Sequence, residues 1–155
     1  MAKPSQDSYE LALRALSYKE RTESELRAWL AEREVAKAEI EEVIALLIEA
    51  GAIDDESFAR RYAEDKRQLA GWGPDRISRA LEGRGVAREQ IEAALGGDDE
   101  EAQLERAVAL LGDRGLGCDS GRERERALGL LVRRGYPLEL AYEAVREVER
   151  LSDAA

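Results

Sequence analysis

The fold of this chain is decided by the stretch GWGPDRISRALEGRGV, residues 71–86. Its first residues interrupt any preceding helix, after which Gly73 can cap a new helix and Pro74 fits its first position. Ile77 and Leu81 then lie four residues apart, on one face of that helix. Gly85, four residues after Leu81, can end the helix in the left-handed conformation. The stretch therefore predicts a tight turn, a short amphipathic helix and a second turn.

The apolar spacing of this helix, and of the helix after it, occurs three times along the chain. An offset of 51 pairs the first copy with the second: Leu26 with Ile77, Leu30 with Leu81, Val35 with Val86, Ile40 with Ile91 and Ile44 with Leu95. An offset of 50 pairs the second copy with the third: Leu81 with Leu131, Gly85 with Gly135, Val86 with Tyr136, Ile91 with Ala141 and Leu95 with Val145. A unit of roughly 50 residues buries little apolar surface alone, so neighbouring units should pack on each other. We therefore predict an all-α protein of three tandem three-helix repeats that form an elongated array, straight or curved.

Caps and turn residues place the boundaries of the repeats. We expect a disordered N-terminus at 1–6 and three-helix repeats at 7–53, 54–97 and 98–155. Thr22 and Glu25 have the spacing of a capping box, in which each residue satisfies a free N–H of the other. Gly96 and Gly97 form the best candidate for a hinge, because two glycines leave the backbone unconstrained.

The composition excludes several classes of chemistry. The 155 residues include no histidine, which removes the usual imidazole base and the commonest metal ligand. Cys118 is the only cysteine, so neither a disulfide framework nor a thiolate zinc site can form, and we expect an inert, partly exposed thiol. We predict a protein without enzyme activity, cofactor, metal or small-molecule ligand.

The charge and hydropathy pattern indicates the kind of partner and the compartment. The formal net charge of −10 repels a phosphate backbone on average, so a protein partner fits more easily than nucleic acid. No signal peptide is recognisable at the N-terminus, and nowhere do about 18 apolar residues run together to span a bilayer. We expect a cytoplasmic monomer that does not contact the membrane.

The middle repeat contains the residues that we single out as candidates for partner binding. They are Asp55, Phe58, Arg60, Arg61, Tyr62, Lys66, Arg67, Trp72, Arg76 and Arg79. Phe58 and Tyr62, with Leu69 further along the same predicted apolar side, have a plainer interpretation as core residues, and Trp72 can simply seal its own turn. Exposed arginines usually do no more than solvate a surface. The middle repeat is nevertheless the least negative of the three, which favours a binding role for its cations.

Paired carboxylates form a second group with two interpretations. Acid and base catalysis or a cation site would need pairs such as Glu41/Glu42, Asp54/Asp55 and Asp98/Asp99. Each pair lies near a helix start or on a polar face, where capping or solvation explains it. We therefore assign no chemistry to them.

Two runs of the middle repeat combine into a longer pattern. They are Asp54-Asp55-x-x-Phe58-Ala59-x-x-Tyr62 and Gly71-Trp72-Gly73-Pro74-x-Arg76-Ile77-x-x-x-Leu81-x-x-x-Gly85-Val86. The flanks are Ala12-Leu13-Arg14-x-Leu16 with Arg21-x-x-x-Glu25-Leu26, and Leu131-x-Arg133-Arg134-Gly135-Tyr136. Together they resemble the signature of the RecX family of recombination regulators, over nearly the whole chain.

The resemblance implies a bacterial cytoplasmic protein of tandem three-helix repeats that binds the RecA recombinase inside the helical groove of its DNA filament. It implies that binding limits filament growth, strand exchange and ATP turnover, and that the protein has no enzyme activity. The positions that match the family pattern are Asp55, Phe58, Tyr62, Gly71, Trp72, Gly73, Pro74, Arg76 and Ile77. Many relatives are more basic and touch DNA, whereas the acidity of this chain makes any DNA contact weak or indirect.

Two other functions stay open from the sequence. A three-helix unit can present a recognition helix to the major groove, so a stand-alone helical DNA-binding module is the main alternative. A steep salt dependence of binding to naked duplex DNA would favour it. A generic helical scaffold for an unrelated partner is the other alternative.

Overall fold

Over residues 5–155, which the computed structural model of the chain describes, the protein forms nine helices and no strand. The helices are α1 (Gln6–Tyr18), α2 (Glu23–Glu32), α3 (Lys37–Glu49), α4 (Asp55–Ala70), α5 (Pro74–Gly83), α6 (Arg88–Leu95), α7 (Glu100–Asp113), α8 (Gly121–Arg133) and α9 (Leu138–Asp153). Most of the predicted disordered segment 1–6 lies outside the described residues. Of the rest, Ser5 caps α1 by accepting from the N–H of Ser8, and Gln6 is the first helical residue.

The helices group into two compact units. The first comprises Met1–Ala59 and Leu81–Ile91, and the second comprises Arg60–Ala80 and Glu92–Ala155. The middle helices α4, α5 and α6 each contribute residues to both units. The residues of the middle repeat thus complete the packing of two different units.

The core of the first unit lies between α1, α2 and α3. Its buried members are Ala12, Ala15, Leu26, Leu30, Ile40, Val43, Ile44, Leu47 and Ile53. The α3 members follow the three- and four-residue steps of an amphipathic helix. At the start of α2, Thr22 Oγ1 accepts from the N–H of Glu25, whose carboxylate accepts from the N–H of Thr22. This confirms the capping box.

The core of the second unit lies between α7, α8 and α9. Its buried members are Ala107, Leu111, Cys118, Ala127, Leu130, Leu131, Tyr136, Leu140, Ala141, Ala144 and Val145. The prediction of a partly exposed Cys118 is wrong, because the side chain is only 1% exposed. Burial raises the pKa of this thiol, as do the carboxylates of Glu149 and Glu123, so the thiol stays protonated and inert.

In the first unit, the C-terminal end of α5 meets the N-terminal end of α2. We call this contact the first joint; it consists of Thr22, Ser24 and Glu25 against Arg84 and Gly85. Thr22 Oγ1 donates to the carbonyl of Arg84 at 2.7 Å, and the Arg84 guanidinium pairs with the Glu25 carboxylate at 2.9 Å. Gly85 has φ +79, in the left-handed region, and a Cβ there would lie 2.4 Å from Ser24 Cβ. The close approach therefore requires glycine.

In the second unit, the C-terminal end of α8 meets the N-terminal end of α5 in the same way. We call this contact the second joint; it consists of Gly73 and Arg76 against Arg134, Gly135 and Tyr136. The N–H of Gly73 donates to the carbonyl of Arg134 at 2.8 Å. Gly135 has φ +95, and a Cβ there would lie 2.3 Å from Arg76 Cβ and 2.4 Å from the Arg76 backbone nitrogen. Both joints pair carbonyls at one helix end with donors at another helix start, where the helix dipoles attract.

The first repeat has Glu34 where the other two have Gly85 and Gly135. Glu34 has φ +63 and is the one non-glycine residue with positive φ among residues 5–155. The three helices α2, α5 and α8 all end with the same backbone hydrogen bonds, but Glu34 is exposed. The helix ending alone therefore tolerates a side chain, and glycine is required only where another helix packs against that position.

Candidate functional site

Asp55 of the first unit supports a helix rather than facing solvent. Its side chain is buried, and one carboxylate oxygen accepts from the N–H of Glu23 at 3.0 Å, at the start of α2. Burial raises the pKa of Asp55 above its usual value, and this hydrogen bond only partly offsets the effect. The neighbouring Asp54 caps α4 by accepting from the N–H of Ser57 at 3.0 Å. The two carboxylates therefore serve two different helices.

Phe58 of the first unit is a buried core residue with a cation on its face. The Arg84 guanidinium carbon lies 4.5 Å from the ring centroid. Burial acts to raise the pKa of Glu25, the carboxylate that pairs with Arg84, but the bonds from Arg84 and from Thr22 outweigh it and lower that pKa. Phe58 thus packs against Arg84, which pairs with Glu25 in the first joint.

Four of the candidate residues come together in the second unit as a stack of rings and cations. We call Tyr62, Lys66, Trp72 and Arg76 the aromatic cluster. The two rings meet edge to face at a centroid distance of 6.4 Å. Lys66 Nζ lies 4.8 Å from the Trp72 centroid and 5.3 Å from that of Tyr62, while the Arg76 guanidinium carbon lies 4.2 Å from that of Trp72.

All four side chains of the aromatic cluster are half-buried, so each combines packing within the protein with a face open to solvent. Cations placed over rings in this way are held in fixed positions, which lowers the entropy that they would lose on binding a partner. The cluster is therefore an ordered surface that carries two positive charges. The sequence singled out its members, but not that they stack.

Arg67 lies in an internal ion network of the second unit. Its Nε is 3.4 Å from a carboxylate oxygen of Asp98, and its Nη2 donates to the carbonyl of Ala94 at 3.2 Å. Asp98 also forms a two-bond pair with Arg106 at 2.9 and 2.8 Å. Burial acts to lower the pKa of Arg106, but the hydrogen bonds to Asp98 outweigh it and raise that pKa. The charge of Arg67 is thus matched inside the protein.

The predicted hinge at Gly96 and Gly97 precedes this buried network. Asp98 is 8% exposed and is fixed by both arginines, so the segment that follows the two glycines is anchored to the second unit. A sequence pattern registers the freedom of two glycines, but not the long-range ion pairs of the next residue.

Tyr136 connects the ion network to the second joint. Its hydroxyl donates to the carbonyl of Gly71 at 2.7 Å and accepts from Arg106 Nε at 3.1 Å. Burial raises the pKa of this hydroxyl, which Arg106 only partly offsets. Tyr136 occupies the position that Val86 has in the preceding repeat. A buried tyrosine hydroxyl usually has a hydrogen-bond partner, so this difference in sequence could have indicated the contact with Gly71 and Arg106.

The remaining candidates, Arg60, Arg61 and Arg79, have exposed side chains. Arg79 lies on α5, where its Nε donates to the carbonyl of Asp75 at 3.3 Å. Leu69, which the pattern places on the apolar side of α4, is 85% exposed. That part of the prediction is wrong, because periodicity does not reveal where the packing partner of a helix ends.

Residues 5–155 contain no group of three or more His, Cys, Asp or Glu side chains that could hold a metal ion. In the same part of the chain, every helix is too short or too polar to cross a membrane.

Comparison with known proteins identifies the architecture. A family model described as the first three-helix domain of RecX matches residues 9–47, and one described as the second three-helix domain of RecX matches residues 54–95. The regulatory protein RecX of Mycolicibacterium vanbaalenii is 35% identical over 144 residues, which cover 87% of this chain and 78% of that protein. The chain belongs to the RecX family. The resemblance noted in the sequence and the all-helical tandem-repeat fold are thereby confirmed.

A further relative and a crystal structure support membership of the RecX family. The regulatory protein RecX of Thermobifida fusca is 33% identical over 88% of this chain and 76% of its own length. A crystal structure of RecX from Lactobacillus salivarius is similar with a TM-score of 0.81 and 26% identity, covering 92% of this chain and 95% of that one.

Proposed function

We propose that this protein is a non-enzymatic regulator that binds RecA and its nucleoprotein filament. Binding limits filament extension, strand exchange and ATPase activity in recombination and DNA repair. The observation that carries the proposal is membership of the RecX family over most of the chain, with relatives that bear the name regulatory protein RecX. The lack of histidine in the sequence is consistent with a role that needs no catalysis.

The proposed contact with RecA is the aromatic cluster together with the exposed Arg60, Arg61 and Arg79. Ordered aromatic and arginine side chains are the residues that most often dominate the energy of protein interfaces. Asp55, Phe58 and Arg67 are buried or paired within their own units, so in this proposal they act indirectly, by holding their helices in place. Electrostatic attraction between these cations and an acidic surface would assist association and make it sensitive to salt.

We also propose the compartment and the oligomeric state in which the protein acts. It acts in the bacterial cytoplasm as a monomer, and its three repeats at 7–53, 54–97 and 98–155 contact the filament as one array. Any contact with DNA is weak or indirect, since the net charge of −10 opposes it.

The direct test is the DNA-dependent ATPase of RecA with this protein titrated into preformed filaments on single-stranded DNA. We expect the rate to fall as the protein saturates the filament, and the protein to co-sediment with RecA and DNA at physiological salt. An unchanged rate without co-sedimentation would show that the protein does not act on RecA.

A charge reversal locates the contact. Arg79→Glu changes an exposed cation without disturbing the second joint, and we expect about tenfold weaker binding to the filament. Arg146→Glu, at an exposed position on α9, makes the same charge change and serves as the matched control. Equal weakening by both variants would indicate an effect of net charge rather than a local contact.

One further measurement distinguishes RecA binding from the alternative function, a stand-alone DNA-binding module. Affinity for naked duplex DNA that falls steeply with salt, in the absence of RecA, would support it. We expect little binding under these conditions, because most of the surface charge is negative.

A further inference from the structure

Helix α8 carries a row of arginines that the proposed function does not use. Arg122, Arg126 and Arg133 are spaced by four and seven residues, which places them on one face of the helix. At about 1.5 Å per residue the row is roughly 16 Å long. Gly129 lies on the same face between Arg126 and Arg133. This row belongs to the third repeat, outside the signature of the middle repeat.

Two arginines of the row line a cleft. Arg126 and Arg133 surround a volume of about 380 Å³ together with Arg114, which follows the end of α7, and the floor is formed by Leu116 and Leu130. No carboxylate lines this cleft. It therefore combines three guanidinium groups with two apolar side chains.

The arginines of the cleft lack the partners that other arginines of the same unit have. Arg124 pairs with Glu149 and Arg150 with Glu147, but within residues 5–155 the structure gives Arg114, Arg126 and Arg133 no ion pair. The chain has 34 acidic and 24 basic residues, so carboxylates are plentiful. Leaving three cations together in such a protein sacrifices favourable pairs, and an anionic ligand would supply them.

The surroundings of Arg134 show the same local excess of positive charge. Burial lowers the pKa of Arg134, and the nearby charges of Arg114 and Arg76 lower it further. Arg114 is thus close enough to another cation to be repelled by it. An anion placed beside Arg114 would relieve that repulsion.

Helix α8 has a glycine, Gly129, near the centre of the arginine row. Glycine within a helix costs about 1 kcal/mol relative to alanine, so its place there calls for a compensating use. A Cβ on Gly129 would lie 2.9 Å from Nη1 of Arg133. The missing side chain therefore allows the Arg133 guanidinium to lie back along the helix, beside the cleft.

We propose that this arginine cleft binds an acidic amphipathic segment of a partner protein. Carboxylates of the segment pair with Arg114, Arg126 and Arg133, and an apolar side chain rests on Leu116 and Leu130. The apolar floor favours such a segment over a nucleic acid backbone, which has no aliphatic side chain to place on Leu116 and Leu130. A long polyanion would also be repelled by the net charge of −10 that the whole chain carries.

The test uses the full chain without RecA, so its outcome is independent of the proposed function. The probe is a fluorescent synthetic peptide of about 14 residues with Glu and Leu at helical spacing, measured by anisotropy at low salt. We expect saturable binding, and no binding of the same peptide with Gln in place of Glu. Equal binding of the two peptides would overturn the proposal.

Variants locate the peptide. Arg126→Glu combined with Arg133→Glu should weaken binding by about tenfold or more, whereas Arg146→Glu on α9 should change it by less than about twofold. Gly129→Ala should weaken binding without loss of helix stability, because its Cβ displaces the Arg133 guanidinium. Unchanged binding in the double reversal, or tighter binding of a single-stranded oligonucleotide than of the peptide, would contradict the assignment.

Discussion

The first and second joints have the same backbone geometry but different electrostatics. In each joint, a Cβ added to the left-handed glycine, Gly85 or Gly135, would lie within 2.4 Å of an atom of the facing residue. In the first joint, Arg84 is neutralised by Glu25 at 2.9 Å. In the second joint, Arg134 donates to the carbonyl of Ala70 at 2.8 Å and has Arg76 as a like-charged neighbour.

This difference shows which features of the joint every repeat needs and which side chains can vary between repeats. The glycine and the carbonyl contacts recur because the chain cannot pack there with a side chain in the way. The side chains around them are not constrained in that way, so Glu25 of one joint is replaced by Arg76 in the other, at the offset of 51. The first joint is electrically balanced, and the second joint leaves positive charge next to the aromatic cluster.

The largest expected effect concerns the ion network behind the second joint. Asp98→Asn should lower the free energy of unfolding by about 4 kcal/mol, because it leaves Arg67 and Arg106 partly buried without a compensating charge. Urea unfolding followed by circular dichroism measures the loss. Asp99→Asn is the matched control, since asparagine caps α7 as well as aspartate does. Similar losses in both variants would mean that the network does not support the joint.

The next effect tests the glycine of the second joint. Gly135→Ala should cost about 3 kcal/mol, from the left-handed backbone and from overlap with the backbone of Arg76. Gly115→Ala provides the comparison, because Gly115 has φ +63 but no atom within 4 Å of the added Cβ. There we expect only the backbone term of about 1 kcal/mol. If the two variants unfold at the same urea concentration, steric contact is not what requires Gly135.

At the first joint, a second substitution should recover part of the stability that is lost when the glycine is replaced. Gly85→Ala should cost about 2 kcal/mol, and the double variant with Ser24→Gly should recover about 1 kcal/mol, because the nearest obstacles to the new Cβ are side-chain atoms of Ser24. At Gly135 the obstacle includes the backbone nitrogen of Arg76, so the equivalent Arg76→Gly should restore nothing. A double-mutant cycle in urea measures both pairs, and equal recovery at the two joints would remove the distinction.

The smallest effect concerns pH. Glu25→Gln keeps the cap on α2 but removes the charge facing Arg84, so it should lower the free energy of unfolding at pH 7 by about 1 kcal/mol. The pKa of Glu25 in the folded protein lies below its usual value of 4.5, so its stabilisation is present above that value and is lost as the pH falls through the folded pKa. The difference between wild type and variant should therefore vanish in acid. A difference that persists at low pH would indicate a loss of packing instead.

The repeat, the all-helical fold and the capping box at Thr22 were predictable because each depends on residues close together in sequence. Periodicity and caps are local signals, and the alignment of Gly85 with Gly135 followed from a constant offset. The contacts that define the site were not predictable in this way. Thr22 with Arg84, and Tyr136 with Gly71, join residues more than 60 positions apart. Burial of Cys118 and of Asp98 depends on the same long-range packing.

Glu34 sets a condition for lengthening such an array by design. A copy of the first repeat placed behind another repeat would have to receive a helix start at the end of its second helix, as Gly85 receives the start of α2. The Cβ of Glu34 would obstruct that contact, so the copy would need Glu34→Gly before it could be seated. The same substitution in the present chain, where Glu34 is exposed and already left-handed, should be tolerated or mildly stabilising. One residue therefore distinguishes a repeat that can only lead an array from one that can also follow.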